Sequence, residues 1–185
     1  MSSNNETNLN SKSVIMGQRI LLRDHSIGNK LFKSFLGKPI GISKPSPMQE
    51  YVSPFILSTY DSIYLCRKNI ADLNLNLRCQ ELLEKLKHMD RRLWLRYRVY
   101  EYLRDRGYIV RSGIKFGTDF SVYELGPGLE HAPYVVTVID ENADLTPIDI
   151  VRLGRVSHSV RKKSVLAIAS DRGDITFLVF KWIKL

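Results

Sequence analysis

Residues 133–170 read PYVVTVIDENADLTPIDIVRLGRVSHSVRKKSVLAIAS, and this stretch decides the fold class. It opens on Pro133–Ile139 and closes on Val165–Ser170, two runs of alternating β-branched and apolar residues that read as strands. Between them Thr146 and Pro147 form a cap and first-turn pair, so a helix is expected through Ile148, Val151 and Leu153. Working outward, further strands are expected at Tyr108–Arg111, Phe120–Tyr123 and Asp174–Lys184. Upstream of these, Asp90 offers an N-cap to a helix Arg91–Arg106 that closes at Gly107. On that helix Leu93, Trp94, Tyr97, Tyr100, Tyr102 and Leu103 alternate with Arg91, Arg92, Arg96, Arg98, Arg104 and Arg106, and most of the aromatics are expected in the core opposite a charged face. Helices followed by a mostly β half with one helix make the chain α+β.

The N-terminal part reads differently. Residues 1–13 (MSSNNETNLNSKS) are polar and without anchors, so a disordered tail is expected there, and they have neither the cationic start nor the apolar core of a signal peptide. Arg19–Arg23 suits a short strand and Asn29–Leu36 a short helix ended by Gly37. Gly37–Pro47 permits an edge strand and turns, Phe55–Leu65 suits a helix after Pro54, and Leu82–Met89 keeps a helical period. The expected organisation is therefore a small α/β domain over 14–90 and a mixed-sheet domain with flanking helices over 91–185.

Composition narrows the function classes. The chain has 185 residues, 44% of them hydrophobic, which is too apolar for a disordered protein. No apolar run approaches the ~18 residues of a bilayer span, so no membrane role is expected and a cytoplasmic location is. The net charge of +9 points to a polyanionic partner. Because the excess is spread over both halves, the fold must assemble any binding surface. Cys66 and Cys79 have neither C-x-x-C nor zinc-finger spacing, so reduced structural thiols are expected.

A basic α+β chain invites comparison with divalent-metal nucleases, but the residues do not support one. Hard Mg²⁺ wants clustered carboxylates, and strand alternation puts Asp119 and Glu124 on opposite faces. His25, His88, His131 and His158 lack i, i+4 pairing, and Gly126-Pro127-Gly128 is a turn, not a phosphate cradle. No metal or other cofactor is expected. Metal-free RNA cleavage needs a base for the 2′-hydroxyl, an acid for the departing 5′-oxygen and a cation for the phosphorane. Tyr123 ends a strand, His131 follows the glycine turn, and Lys162 lies in the run Arg161-Lys162-Lys163. Spacing permits these three to converge at one sheet edge without showing that they do.

Two strings carry a resemblance. RDRGYIVRSGIKFGTDF (Arg104–Phe120) and GRVSHSVRKK (Gly154–Lys163) closely resemble the archaeal tRNA-splicing endonuclease family, the second through its R-x-[AS]-H-S-x-R-K signature. Val122-Tyr123-Glu124 and Glu130-His131-Ala132-Pro133-Tyr134 occupy the places of the family's tyrosine and histidine motifs. The likeness covers roughly residues 91–185, and more loosely 14–90 through the Gly37-Lys38-Pro39 loop and Tyr60–Leu65. It implies Tyr123 as general base, His131 as general acid and Lys162 as stabiliser of the transition-state charge. It implies cleavage of precursor tRNA at bulge-helix-bulge junctions without metal, leaving 2′,3′-cyclic phosphate and 5′-hydroxyl ends. Arg155 falls where the family stacks an arginine on a bulged base, with no clear second arginine where Thr176 and Phe177 stand. Arg152, Arg161 and Lys163 extend the basic surface expected to hold RNA phosphates. The turn Asp171-Arg172-Gly173-Asp174 resembles a loop that inserts into a neighbouring subunit, with Asp171, Gly173 and Asp174 as its assembly residues. A tetramer is implied, either with a distinct structural subunit, the favoured form, or as a homo-oligomer. The alternatives are a non-catalytic structural subunit of the same enzyme and a basic RNA-binding module without activity.

Overall fold

The structure, a computed structural model, describes residues 13–68, 90–160 and 162–180. The chain divides into two compact units, Met1–His88 and Met89–Leu185. Both are mixtures of helix and sheet, as an α+β chain requires.

In the first unit four strands, β1 (Ser13–Met16), β2 (Arg19–Leu22), β3 (Lys38–Pro39) and β4 (Phe55–Leu57), form a sheet in the order β1-β2-β4-β3. Helix α1 spans His25–Lys33, four residues earlier in its start than the apolar spacing suggests. The reason is Asp24, whose carboxylate accepts the N–H groups of Ser26 (3.0 Å) and Ile27 (3.3 Å) and so sets the N-terminus. The expected helix Phe55–Leu65 is in fact two elements. Phe55–Leu57 pairs with β2 as a strand, and helix α2 (Thr59–Arg67) begins at a capping box between Ser58 and Asp61. Asp61 also accepts the Gly37 N–H at 3.2 Å, which fastens the α1–β3 connection to α2. Ile20, Leu22, Leu31, Phe32, Phe55 and Leu57 make the core.

Gly28 sits in α1 directly over Phe55, so close that an added Cβ would stand 2.1 Å from the ring. Alanine would favour the helix by up to ~1 kcal/mol, but overpacking a filled core costs roughly 1–3 kcal/mol. The clash decides the sign: Gly28→Ala should lower the denaturation midpoint in urea. Cys66 is disulfide-bonded, not the reduced thiol expected from the sequence. Geometry in the fold decides such a bond, and Cys spacing does not report it. Cys79 lies outside the described residues, as does the expected helical stretch Leu82–Met89.

The second unit holds α3 (Arg91–Asp105), β5 (Ile109–Ser112), a one-turn 3₁₀ helix (Ile114–Phe116), β6 (Phe120–Tyr123), β7 (Tyr134–Asp140), α4 (Pro147–Val160), β8 (Lys163–Ala169) and β9 (Ile175–Phe180). The Asp90 carboxylate caps α3 through the Arg92 N–H at 3.1 Å. The sheet runs β5-β6-β7-β8-β9 and is mixed: all neighbours are antiparallel except β7 and β8, which α4 joins as a parallel crossover. Helix α3 lies across β5, β7 and β8, with Tyr97 and Tyr100 buried and the Tyr100 ring 6.2 Å from that of Phe120.

Arg91, Arg96 and Arg98 of the α3 face are spent on the fold. Arg96 pairs with Asp119, whose other oxygen accepts the Val138 N–H at 2.7 Å. Arg91 bonds Asp140 at 2.5 Å and Asp171 at 2.8 Å, and Arg98 donates to the Gly173 carbonyl at 3.2 Å. These contacts lock helix, sheet and the β8–β9 turn together. Among the described residues no helix is long and apolar enough to cross a membrane.

Candidate active site at one end of the C-terminal sheet

Strand direction assembles the site. Strand β6 ends at Tyr123, and its antiparallel neighbour β7 begins beside it, with Tyr134 opposite Val122. Because β8 is parallel to β7, it begins at the same end, with Lys163 opposite Tyr134. The C-terminal end of β6 and the N-terminal ends of β7 and β8 therefore share one edge, which carries Tyr123, the His131–Pro133 lead-in and Lys162.

Each of the three is held differently. Tyr123 is the last ladder residue of β6, opposite Ile109, and only 8% exposed. Lys162 stands just before β8, and the Lys163 N–H donates to the Pro133 carbonyl at 3.0 Å. The Lys162 ammonium donates to the Ala132 carbonyl at 2.6 Å, a direct tie to the residue after His131. His131 itself is exposed to solvent, between buried Ala132 and the glycine turn.

The electrostatics centre on Lys162. Burial, and then the nearby Lys115 ammonium, hold it below the ordinary lysine range. Both ammonium groups lie over the Phe116 ring, Lys115 at 4.7 Å and Lys162 at 5.3 Å from its centroid. That arrangement was not legible in the sequence. The 3₁₀ turn leaves β5 at Ser112, the end of the strand remote from the Tyr123 pairing, yet folds back to bring Phe116 under Lys162. Gly113 makes the fold-back possible: a Cβ there would stand 2.3 Å from Thr118 Oγ1 and 2.7 Å from the Phe120 backbone. Each ammonium gains a cation–π contact with the ring, while the two like charges repel each other, and a nearby anion would relieve that repulsion. A phosphate supplies such a charge.

A family model described as the tRNA intron endonuclease, catalytic C-terminal domain, matches residues 93–177. A tRNA-splicing endonuclease of Saccharolobus solfataricus is 42% identical over 180 residues, covering 94% of this chain and 99% of that protein. Those of Saccharolobus islandicus and Sulfurisphaera tokodaii are each 41% identical, over 94% and 92% of this chain and 99% and 98% of their own. The chain belongs to the tRNA-splicing endonuclease family. It is a nuclease with that family's catalytic domain.

The remaining residues singled out from the sequence are spread over this tRNA-splicing endonuclease fold, with the β8–β9 turn at the end of the sheet opposite the Tyr123 edge. Arg152 and Arg155 occupy exposed positions of α4, three apart, with Arg152 3.6 Å from Asp149. Lys163 is exposed, its ammonium 5.3 Å from the centroid of the Tyr134 ring. Arg161 lies outside the described residues. Asp171, Gly173 and Asp174 form the β8–β9 turn, where Asp171 and Gly173 meet Arg91 and Arg98 of their own chain. Gly173 adopts φ +114°, and a Cβ there would stand 2.9 Å from the Arg98 guanidinium. Asp119, weighed as a metal ligand from the sequence, has both oxygens engaged by Arg96 and Val138. Sequence reasoning assigned no role to Lys115, Phe116 or Glu130. Their contacts arise from loops folding back, which residue spacing does not encode.

Proposed function

We propose that this chain is the catalytic subunit of a tRNA-splicing endonuclease, cleaving precursor tRNA at bulge-helix-bulge junctions by acid–base chemistry without a metal. The observation that supports it is the shared sheet edge: Tyr123 at the end of β6, and Lys162 bonded to Ala132 beside His131. In this reading Tyr123 takes the proton of the 2′-hydroxyl next to the scissile phosphate. The 2′-oxygen bonds to phosphorus as the bond to the 5′-oxygen breaks, and His131 protonates that departing oxygen. The Lys162 ammonium stabilises the charge that builds on the phosphorane, and Lys115 holds an adjoining phosphate. The products are a 2′,3′-cyclic phosphate and a 5′-hydroxyl.

Recognition is by shape. Arg155 offers a planar guanidinium for a splayed base, while Arg152, Arg161 and Lys163 face the phosphates of the flanking A-form helices. Two junctions require two such sites at fixed separation, and one chain carries one set. The working assembly we propose is a tetramer built with a structural subunit, or with further copies, through Asp171, Gly173 and Asp174. The test is product analysis with EDTA present. Junction-containing RNA should be cut to cyclic-phosphate and 5′-hydroxyl ends while a fully paired duplex stays intact. Activity lost in EDTA and restored by Mg²⁺, or 5′-phosphate products, would refute the reading.

A further inference from the structure

Of the three groups, His131 sits on the longest connection, the ten residues between β6 and β7. Tyr123 is fixed by its ladder and Lys162 by Ala132. The connection from Tyr123 to His131 is exposed for much of its length and passes through Gly126 (φ +118°) and Gly128 (φ +91°), so little in its composition would hold it still. One side chain closes it. A single carboxylate oxygen of Glu130 accepts three successive backbone N–H groups, from Glu124 at 2.5 Å, Leu125 at 2.6 Å and Gly126 at 3.4 Å. The Glu130 and Leu129 N–H groups return to the Gly126 carbonyl, each at 3.1 Å. Successive N–H groups aimed at one point form an anion-binding concavity, and charge-assisted bonds of this kind are the strong ones. The hydrogen bonds, that from Leu125 foremost, hold the Glu130 carboxyl below the ordinary carboxylate range.

We propose that Glu130 is a positioning residue for the cleavage reaction: by tying the residue before His131 to the backbone just after Tyr123, it sets the imidazole at its working place. His131 is then clamped on both sides, through Glu130 ahead of it and through the Ala132–Lys162 bond behind it. This inference rests on the reading of His131 as the acid, and it is specific to the acid step. Attack by the 2′-oxygen and the charge on the phosphorane are left to Tyr123 and Lys162, which the β6 ladder and the Lys163–Pro133 backbone bond hold in place without Glu130.

The test is single-turnover cleavage by the assembled enzyme of two RNAs, one natural and one with a 5′-bridging sulfur at the junction. In the second the P–S bond breaks and a thiolate leaves without needing a proton, so an acid defect disappears. Glu130→Ala should cut the natural RNA about 100-fold more slowly, the scale of a small misplacement of a catalytic group. Its RNA binding should be unchanged, and the sulfur RNA should be cut at the wild-type rate. Glu130→Gln, which keeps an acceptor but loses the charge, should fall between, and it carries the comparison if the alanine variant does not fold. A wild-type rate on natural RNA, or a deficit that persists on the sulfur RNA, overturns the proposal. His131→Ala is the control. If it is not restored on sulfur RNA, the acid assignment fails and takes this inference with it. If it is restored and Glu130→Ala is not, only the Glu130 proposal fails.

Discussion

Lys162→Ala should lower single-turnover cleavage about 1,000-fold, the upper range for removing one donor to a developing oxyanion, while RNA binding falls little. Two losses combine in that figure. The ammonium proposed to face the phosphorane goes, and so does the 2.6 Å bond that anchors Ala132 next to His131. Binding is expected to be spared because Arg152, Arg155 and Lys163, proposed to hold the RNA, are exposed and untouched by the change. The pH dependence has a definite sign. Burial and the neighbouring Lys115 hold Lys162 below the usual lysine range. In the proposed reaction it works as the cation, so the rate on the 5′-sulfur RNA, whose cleavage does not draw on the His131 proton, should fall as pH rises through that lowered value. Removing Lys115 takes away the second cause, so Lys115→Ala should move this alkaline limb upward in pH even as it weakens RNA binding. Lys162→Arg should move the limb beyond reach, because a guanidinium stays charged, at a rate reduced by its different shape. A rate–pH series on these three variants checks each direction.

Tyr123→Phe should reduce cleavage by about 10²–10⁴-fold, the usual contribution of a positioned acid or base. The variant is conservative for the fold. Tyr123 is buried as the last residue of β6, and phenylalanine keeps the ring and the ladder with Ile109. An unchanged melting temperature together with a collapsed rate would place the loss in the chemistry. His131→Ala should fall in the same range. The double variant should be little worse than either single one, because groups that act on one proton-transfer sequence are not additive. A full rate for either variant would remove it from the reaction.

Much of the second unit was legible because its signals are local. Asp90 before an apolar period, Thr146 before Pro147 and the β-branched runs each fix an element within a few residues of its neighbours. The first unit was harder for the same reason. The apolar spacing of Phe55–Leu65 fits a helix as well as a strand followed by a helix, and pairing of Phe55–Leu57 with β2 decides between them. The Asp24 cap sets the start of α1 at His25, four residues before the expected helix Asn29–Leu36, which rests on apolar spacing. The site divides along the same line. The likeness of Tyr123, His131 and Lys162 to family motifs supplied their roles, while residue spacing left their convergence open. The parallel register of β7 and β8, which brings Lys162 to the Tyr123 edge, is a long-range fact. So are the fold-back that seats Phe116 under Lys162 and the capture of three N–H groups by Glu130.

In the proposed reaction the nucleophile comes from the RNA, and protein side chains alone manage its protons. The most direct measurement is cleavage in EDTA of two junction RNAs that differ only in a 2′-hydroxyl or a 2′-deoxy group at the scissile nucleotide. The first should be cut to a cyclic phosphate and the second should survive, bound but intact. Cleavage of the deoxy junction would show that water or a metal-bound hydroxide does the attacking, and the roles assigned to Tyr123, His131 and Lys162 would be wrong.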